Sequence, residues 1–205
     1  MNVVLARLKN ETRALHAQIE ASVSVLDSAL DELGYRRYLE QLIGFHAPIE
    51  EGLRALPALT ELGLELETRW KSERLERDLA ALGLSRAQIA RLPRCPATPR
   101  IAHVHDALGC MYVLEGATLG GQLVFRELSR RIPGTMAVAS RYLRCYAEQT
   151  GARWRAFGAV LEAHGSDEPA QRAIAAAARG TFASLQRWLE AGGPDAAESP
   201  RVAHG

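Results

Sequence analysis

The chain has few cysteines and no CxxC pair: Cys95, Cys110 and Cys145 are odd in number and widely spaced. That pattern gives no zinc-finger framework and suits a reducing compartment. Lysine is nearly missing, with Lys9 and Lys71 the two present, so arginine carries the basic charge. The formal net charge of +1 argues against a nucleic-acid surface. No stretch approaches the roughly 20 apolar residues that cross a membrane. The N-terminus reaches Lys9 and Glu11 before any long apolar run, unlike a secretory leader. The sequence also lacks an alternating strand pattern, an internal repeat and a GxGxxG following a strand. These absences predict a cytoplasmic protein with no nucleic-acid or membrane partner and no flavin or nicotinamide of its own.

What is present is helical periodicity. Of the 205 residues, 47% are hydrophobic and 24% charged, enough to bury one core and a ligand pocket. Val4, Leu8, Leu15 and Ile19 form one stripe, and Tyr38, Leu42, Phe45 and Ile49 another. Pro48 is expected to bend or break the second helix. Ser85 reads as an N-cap, and "PRCPATPR" (93–100) as a loop within one domain. Helix resumes near Ile101 and runs to about Arg131. One or two helices follow, split or kinked near Gly151, and a last helix starts at Asp167 and Glu168. The expectation is an all-α, single-domain, irregular bundle over 1–191, of about seven to nine helices. Residues 192–205 read as a disordered tail.

Two segments carry chemistry. On a wheel of about 100° per residue with Leu8 at zero, His16 falls near 80°, on the shoulder of the apolar stripe. Lys9, Arg13 and Glu20 lie near 100°, 140° and 120°. A histidine half-turned into an apolar pocket suits an axial ligand of haem iron. Glu20, one turn on, suits the free ring nitrogen, and the two cations suit anionic groups at a rim. The same pattern also fits a surface histidine among i,i+4 ion pairs worth about 0.3 kcal/mol each.

The second segment is "YVLEGATLGGQLVF" (112–125). Its Gly116, Gly120 and Gly121 each cost about 1 kcal/mol in a helix relative to alanine. Gly116 and Gly120 share a face, with Gly121 beside them, so a flat ligand can approach the backbone there. Tight helix–helix packing on the same strip is the alternative. His46 reads as a buried or bridging histidine.

Together "LKNETRALHAQIE" and "EGATLGGQ" resemble the haem oxygenase family. The resemblance places His16 at the axial-ligand position. Lys9 and Arg13 then lie near the haem propionates and Glu20 one turn after the histidine. Gly116, Gly120, Gly121 and Gln122 match the glycine-rich distal helix, with Tyr112 a further haem contact one turn earlier. The wording is similar to the bacterial branch found beside phytochromes. "GARWRAF" and "ARGTFASLQRWL" resemble its last core helices, with Arg155 a candidate for propionate contact and Phe182 for pocket wall. The resemblance implies haem b as both substrate and prosthetic group, and O2 as oxidant. It also implies an external electron donor such as a ferredoxin or reductase, and biliverdin, Fe2+ and CO as products. A bacteriophytochrome is the implied recipient of biliverdin.

One position departs from the family pattern. Members carry an aspartate after the first distal glycine that organises a proton-delivering water chain; here it is Ala117, followed by Thr118. The sequence leaves three possibilities open. Thr118 or the glycine carbonyls hold the water, the protein binds or senses haem without turnover, or the chain is a helical interaction protein.

Overall fold

Residues 2–22 and 30–192 are described by the computed structural model, and among them there is no strand. The helices are α1 (Val3–Ser22), α2 (Glu32–Arg54), α3 (Ser72–Ala81), α4 (Arg86–Arg91), α5 (Val104–Arg131), α6 (Pro133–Val138), α7 (Arg141–Arg144), α8 (Thr150–His164) and α9 (Glu168–Glu190). Short 3-10 turns lie at Pro57–Leu62, Leu66–Thr68 and Ala147–Gln149. The tail expected over 192–205 lies, from residue 193, outside the described residues.

The expected Ser85 cap forms, as a capping box with Gln88, and Asp167 accepts the Ala170 N–H at 2.8 Å; Asp31, which the sequence does not single out, accepts the Gly34 N–H at 2.8 Å. The segment near Gly151 divides as Arg141–Arg144, a 3-10 turn and α8, which starts one residue before that glycine.

Pro48 corrects an expectation. Helix α2 continues through it without a break. A proline has no N–H for the carbonyl four residues earlier, here that of Gly44. Cys95 supplies the missing donor, its N–H reaching the Gly44 carbonyl at 2.9 Å. A Cβ at Gly44 would lie 2.6 Å from the Trp188 ring and 2.7 Å from the Pro93 carbonyl oxygen. Gly44 and Pro48 together therefore make a notch in α2 that seats the 93–100 loop and the end of α9.

Helix α5 is the axis of the bundle and runs unbroken through its four glycines. It is long and apolar enough, by length and composition, to cross a membrane, but half of its most apolar stretch is buried within this fold. Core helices pass the same test. One hydrophobic cluster joins α5 to α1, α8 and α9 through Leu8, Leu108, Met111, Phe157 and Ile174. A second joins it to α2, α3 and α7 through Tyr35, Ile43, Leu75, Leu128 and Leu143. Burying each such side chain contributes about 1.5–3 kcal/mol. Of the predicted α1 stripe, Val4 and Leu8 are buried, whereas Leu15 and Ile19 are half-exposed. That half of α1 leaves the core.

The α5–α9 crossing depends on Gly109. A Cβ there would sit 2.5 Å from the Ile174 carbonyl oxygen and 2.8 Å from the Ala178 nitrogen, both backbone atoms that cannot rotate away. Gly109→Ala is expected to destabilise the fold by about 1–3 kcal/mol, read as a lower urea midpoint. Gly180→Ala, which meets nothing within 4 Å, is the control and should leave the midpoint unchanged or raise it.

Candidate functional site

The site begins where α1 meets α5. Thr12 is buried, its hydroxyl donates to the Leu8 carbonyl at 2.7 Å, and it lies beside the Tyr112 side chain. Burial raises the Tyr112 pKa, and the Thr12 contact opposes that shift. One turn beyond Thr12 on α1 stands His16; one turn beyond Tyr112 on α5 stands Gly116. Helix α9 links the two from the side. Phe182 meets the His16 ring edge-on with centroids 6.0 Å apart, and Thr181 donates to the Cys110 sulfur at 3.3 Å.

The His16 side chain is 58% exposed, with Nδ1 3.4 Å from a Glu20 carboxylate oxygen. The carboxylate favours the tautomer protonated at Nδ1 and leaves the Nε2 lone pair available to a metal. Lys9, Arg13 and Glu20 are exposed on the same helix, and the Arg13 guanidinium donates to Asn10. Arg155 is exposed on α8, directly after Trp154. Among the described residues no hydrogen bond joins it to a residue of α1.

Opposite faces of α5 behave differently around the glycines. On one face a Cβ at Gly120 would meet nothing within 4 Å, and one at Gly116 would meet only the Trp154 ring, at 3.9 Å. Leu119 and Leu123 share that face and are 45% and 63% exposed, unusual for leucines in the middle of a core helix. Ala117 is exposed beside them. Apolar through Leu119 and Leu123 and open at Gly116 and Gly120, this face suits a planar tetrapyrrole, and His16 is an imidazole on the neighbouring helix. The donor set and the open glycine positions therefore fit haem. Among the described residues no group of three or more His, Cys, Asp or Glu suits a bare metal ion.

The other face is closed and polar, and it corrects two expectations. Gly121 does not belong to the open strip; a Cβ there would lie 2.9 Å from the Leu143 carbonyl oxygen, so the glycine admits the α7 backbone. Thr118 is buried and its hydroxyl donates to the Glu115 carbonyl at 2.6 Å, which removes it as a stand-in for a water-holding aspartate. Gln122 donates to the Arg144 carbonyl at 3.0 Å.

Glu115, next to Gly116, carries the strongest interaction of this face. It is 2% exposed and accepts from the Lys71 ammonium, from Arg69 Nη1 at 2.5 Å and from the Tyr146 hydroxyl at 2.8 Å. A second buried carboxylate, Glu50, takes the backbone N–H of Lys71 at 2.6 Å and both the N–H and hydroxyl of Ser72. Burial nevertheless raises the Glu50 pKa against these donors. His46 is buried as expected. Its Nε2 shares a 3.2 Å hydrogen bond with Tyr142, and its Nδ1 lies 3.9 Å from Glu50 without a hydrogen-bond partner among the described residues. Burial, reinforced by Lys71, lowers its pKa to about 3.

Sequence reasoning missed this network. Its one local signal is a glutamate inside the apolar run "MYVLEG"; the partners stand 44 and 46 residues away.

The all-helical bundle built around α5 has the architecture of a haem oxygenase. The comparisons agree. The heme oxygenase family model matches residues 2–191. A curated heme oxygenase from Xanthomonas campestris pv. campestris (strain 8004) is 33% identical over 157 residues, covering 76% of this chain and 86% of that protein. The fold matches a crystal structure of the heme oxygenase from Neisseria meningitidis, solved with NO and CO bound, with a TM-score of 0.76 at 23% identity and 98% coverage of each chain. This chain belongs to the haem oxygenase family and is a haem-degrading enzyme.

Two outcomes test the closed face. Glu115→Ala leaves two buried cations unpaired and is expected to cost about 3–5 kcal/mol in urea unfolding, whereas Glu115→Gln, which keeps the acceptor oxygen, costs less. His46 gives a pH signature. Its value falls from 6.5 in the unfolded chain to about 3 in the fold, so the unfolded state takes the proton first. The stability it confers is complete above pH 6.5 and is lost as pH falls toward 3. Wild type should therefore lose stability relative to His46→Gln across that window, with a slope approaching about 1.4 kcal/mol per pH unit. A flat difference would mean that His46 is charged in the fold.

Proposed function

We propose that the enzyme opens haem b oxidatively to biliverdin, Fe2+ and CO, using O2 and electrons from an external donor such as a ferredoxin or reductase. The recipient proposed for biliverdin is a bacteriophytochrome. The observation that carries the reading is the pairing, one turn beyond the Thr12–Tyr112 contact, of His16 with an α5 face that has no side chains at Gly116 and Gly120.

Haem supplies the iron at which O2 is activated and the ring that is cleaved. The protein's part is placement. His16 would hold the iron through Nε2, with Glu20 keeping the proton on Nδ1. Phe182 packs against the imidazole edge and limits its rotation. Lys9, Arg13 and Arg155 would meet the propionates as charge-assisted donors. Tyr112 borders the slot on the α1 side. Gly116 and Gly120 let the ring plane approach the α5 backbone, and Leu119 and Leu123 cover apolar ring surface.

Proton handling is the unusual part. Ala117 has no polar side chain, and Thr118 already donates to a carbonyl. Ordered water in the slot is therefore held by main-chain carbonyls of the 116–120 turn, which the missing Cβ atoms leave accessible. Proton delivery follows backbone geometry rather than a titrating carboxylate.

Aerobic turnover tests the proposal. Haem bound to the protein and supplied with a reductant should lose its Soret band as a broad red absorbance grows, with biliverdin identified by chromatography. A persistent Soret band would overturn it. His16→Ala should abolish the axial-ligand signature in the haem spectrum; a spectrum indifferent to the change would place the ligand elsewhere. Gly120→Leu fills space that is open here and should weaken haem binding about tenfold or more, equivalent to about 1.4 kcal/mol.

A further inference from the structure

On the closed side of α5, where Gly121 and Gln122 meet α7, lies a cleft of about 350 Å3 lined by Arg74, Ser140, Arg141, Arg144, Cys145 and Ala147. None of these residues belongs to the proposed haem slot. We infer that this cleft is a binding site for a small phosphoryl dianion of the diphosphate type.

Charge is the first argument. Three arginines line one small concavity. Arg141 is compensated by Asp78, at 3.3 Å. Arg74 donates to the Thr68 carbonyl and lies over the Tyr146 ring; Arg144 lies over the Phe125 ring. Neither has a carboxylate partner among the described residues, whereas Arg141 in the same cleft does. Two uncompensated guanidinium forks match the charge and oxygen geometry of a phosphoryl dianion. The Ser140 hydroxyl adds a neutral donor at the same wall. The volume is at the lower end for small-molecule sites, so the occupant is small.

Backbone strain is the second argument. Cys145 has φ 34° and ψ −93°, and Ala147 has φ 48°. Both are non-glycine residues at positive φ, both line the cleft, and no other described non-glycine residue has positive φ. Such strain persists where the surrounding structure imposes it and concentrates at ligand-binding turns. The turn it shapes keeps Tyr146 pointing inward to Glu115 and Lys71 while Cys145 and Ala147 face the cleft.

Cys145 is a built-in reporter, because it alone of the three cysteines is not buried. The test is the rate of Cys145 alkylation by iodoacetamide, at mildly alkaline pH because burial raises its pKa. Inorganic pyrophosphate is the probe, compared with sodium chloride at matched ionic strength. Binding predicts saturable protection that reaches about tenfold when the probe stands at ten times its Kd. Calorimetric titration of pyrophosphate into the same protein should give the same Kd, and it serves as the measure if the thiol proves inert. The double variant Arg74→Gln/Arg144→Gln, its fold checked by circular dichroism, should lose both signals and still take up haem with an unchanged Soret band. Protection equal to that of chloride, an absence of calorimetric saturation, or protection that survives in the double variant would each overturn the site.

Discussion

The placement of α5 depends on the ion pair between Glu115 and the two cations Arg69 and Lys71. A helix that must leave one face bare gives up the side-chain contacts that normally hold a helix in place. Here α5 recovers them on the opposite face, with a carboxylate held by three donors one residue before the first open glycine. Buried ion pairs add little net stability, because desolvation offsets their attraction. What they provide is position: moving Glu115 by a fraction of an ångström strands two charges. The position so fixed is that of the Gly116 backbone.

Helix α9 serves the proximal side in a complementary way. Gly109 lets it approach α5 at backbone contact distance. From that close crossing it extends Phe182 to the His16 ring. The imidazole and the bare face of α5 are thus referenced to one common element, besides meeting through Thr12 and Tyr112. His16 itself is more than half exposed, with Glu20 and Phe182 as its contacts, so its imidazole is held less firmly than the buried helices around it.

Local chemistry was legible in the sequence; pairings across long separations were not. The helical periods, the Ser85 and Asp167 caps and the 93–100 loop all rest on contacts within a few residues, which periodicity and spacing encode. Pro48 misled for the opposite reason. The donor that compensates it, the Cys95 N–H, is 47 residues away along the chain, so local rules saw a helix breaker where the fold has a docking notch. Gly121 was misplaced because a glycine that admits a ligand and a glycine that admits another backbone look alike until the neighbour is known. Arg69 and Lys71 carried no signal at all, since nothing in "TRWKSE" marks those charges as buried.

Ala117 gains its meaning from these constraints. In a flexible helix, loss of a carboxylate that organises water would leave the water without an anchor. In α5 the 116–120 turn is held from behind by Glu115 and by the α7 backbone against Gly121, so its carbonyls stand at fixed positions. Fixed dipoles lose no reorganisation energy when charge develops beside them, which is what makes preorganised backbone effective in place of an ionisable side chain. A neutral, rigid distal wall also has no group of its own to titrate. The pH dependence of turnover should then show no carboxylate step from the α5 wall, and placing a carboxylate there by Ala117→Asp should introduce one into the turnover profile.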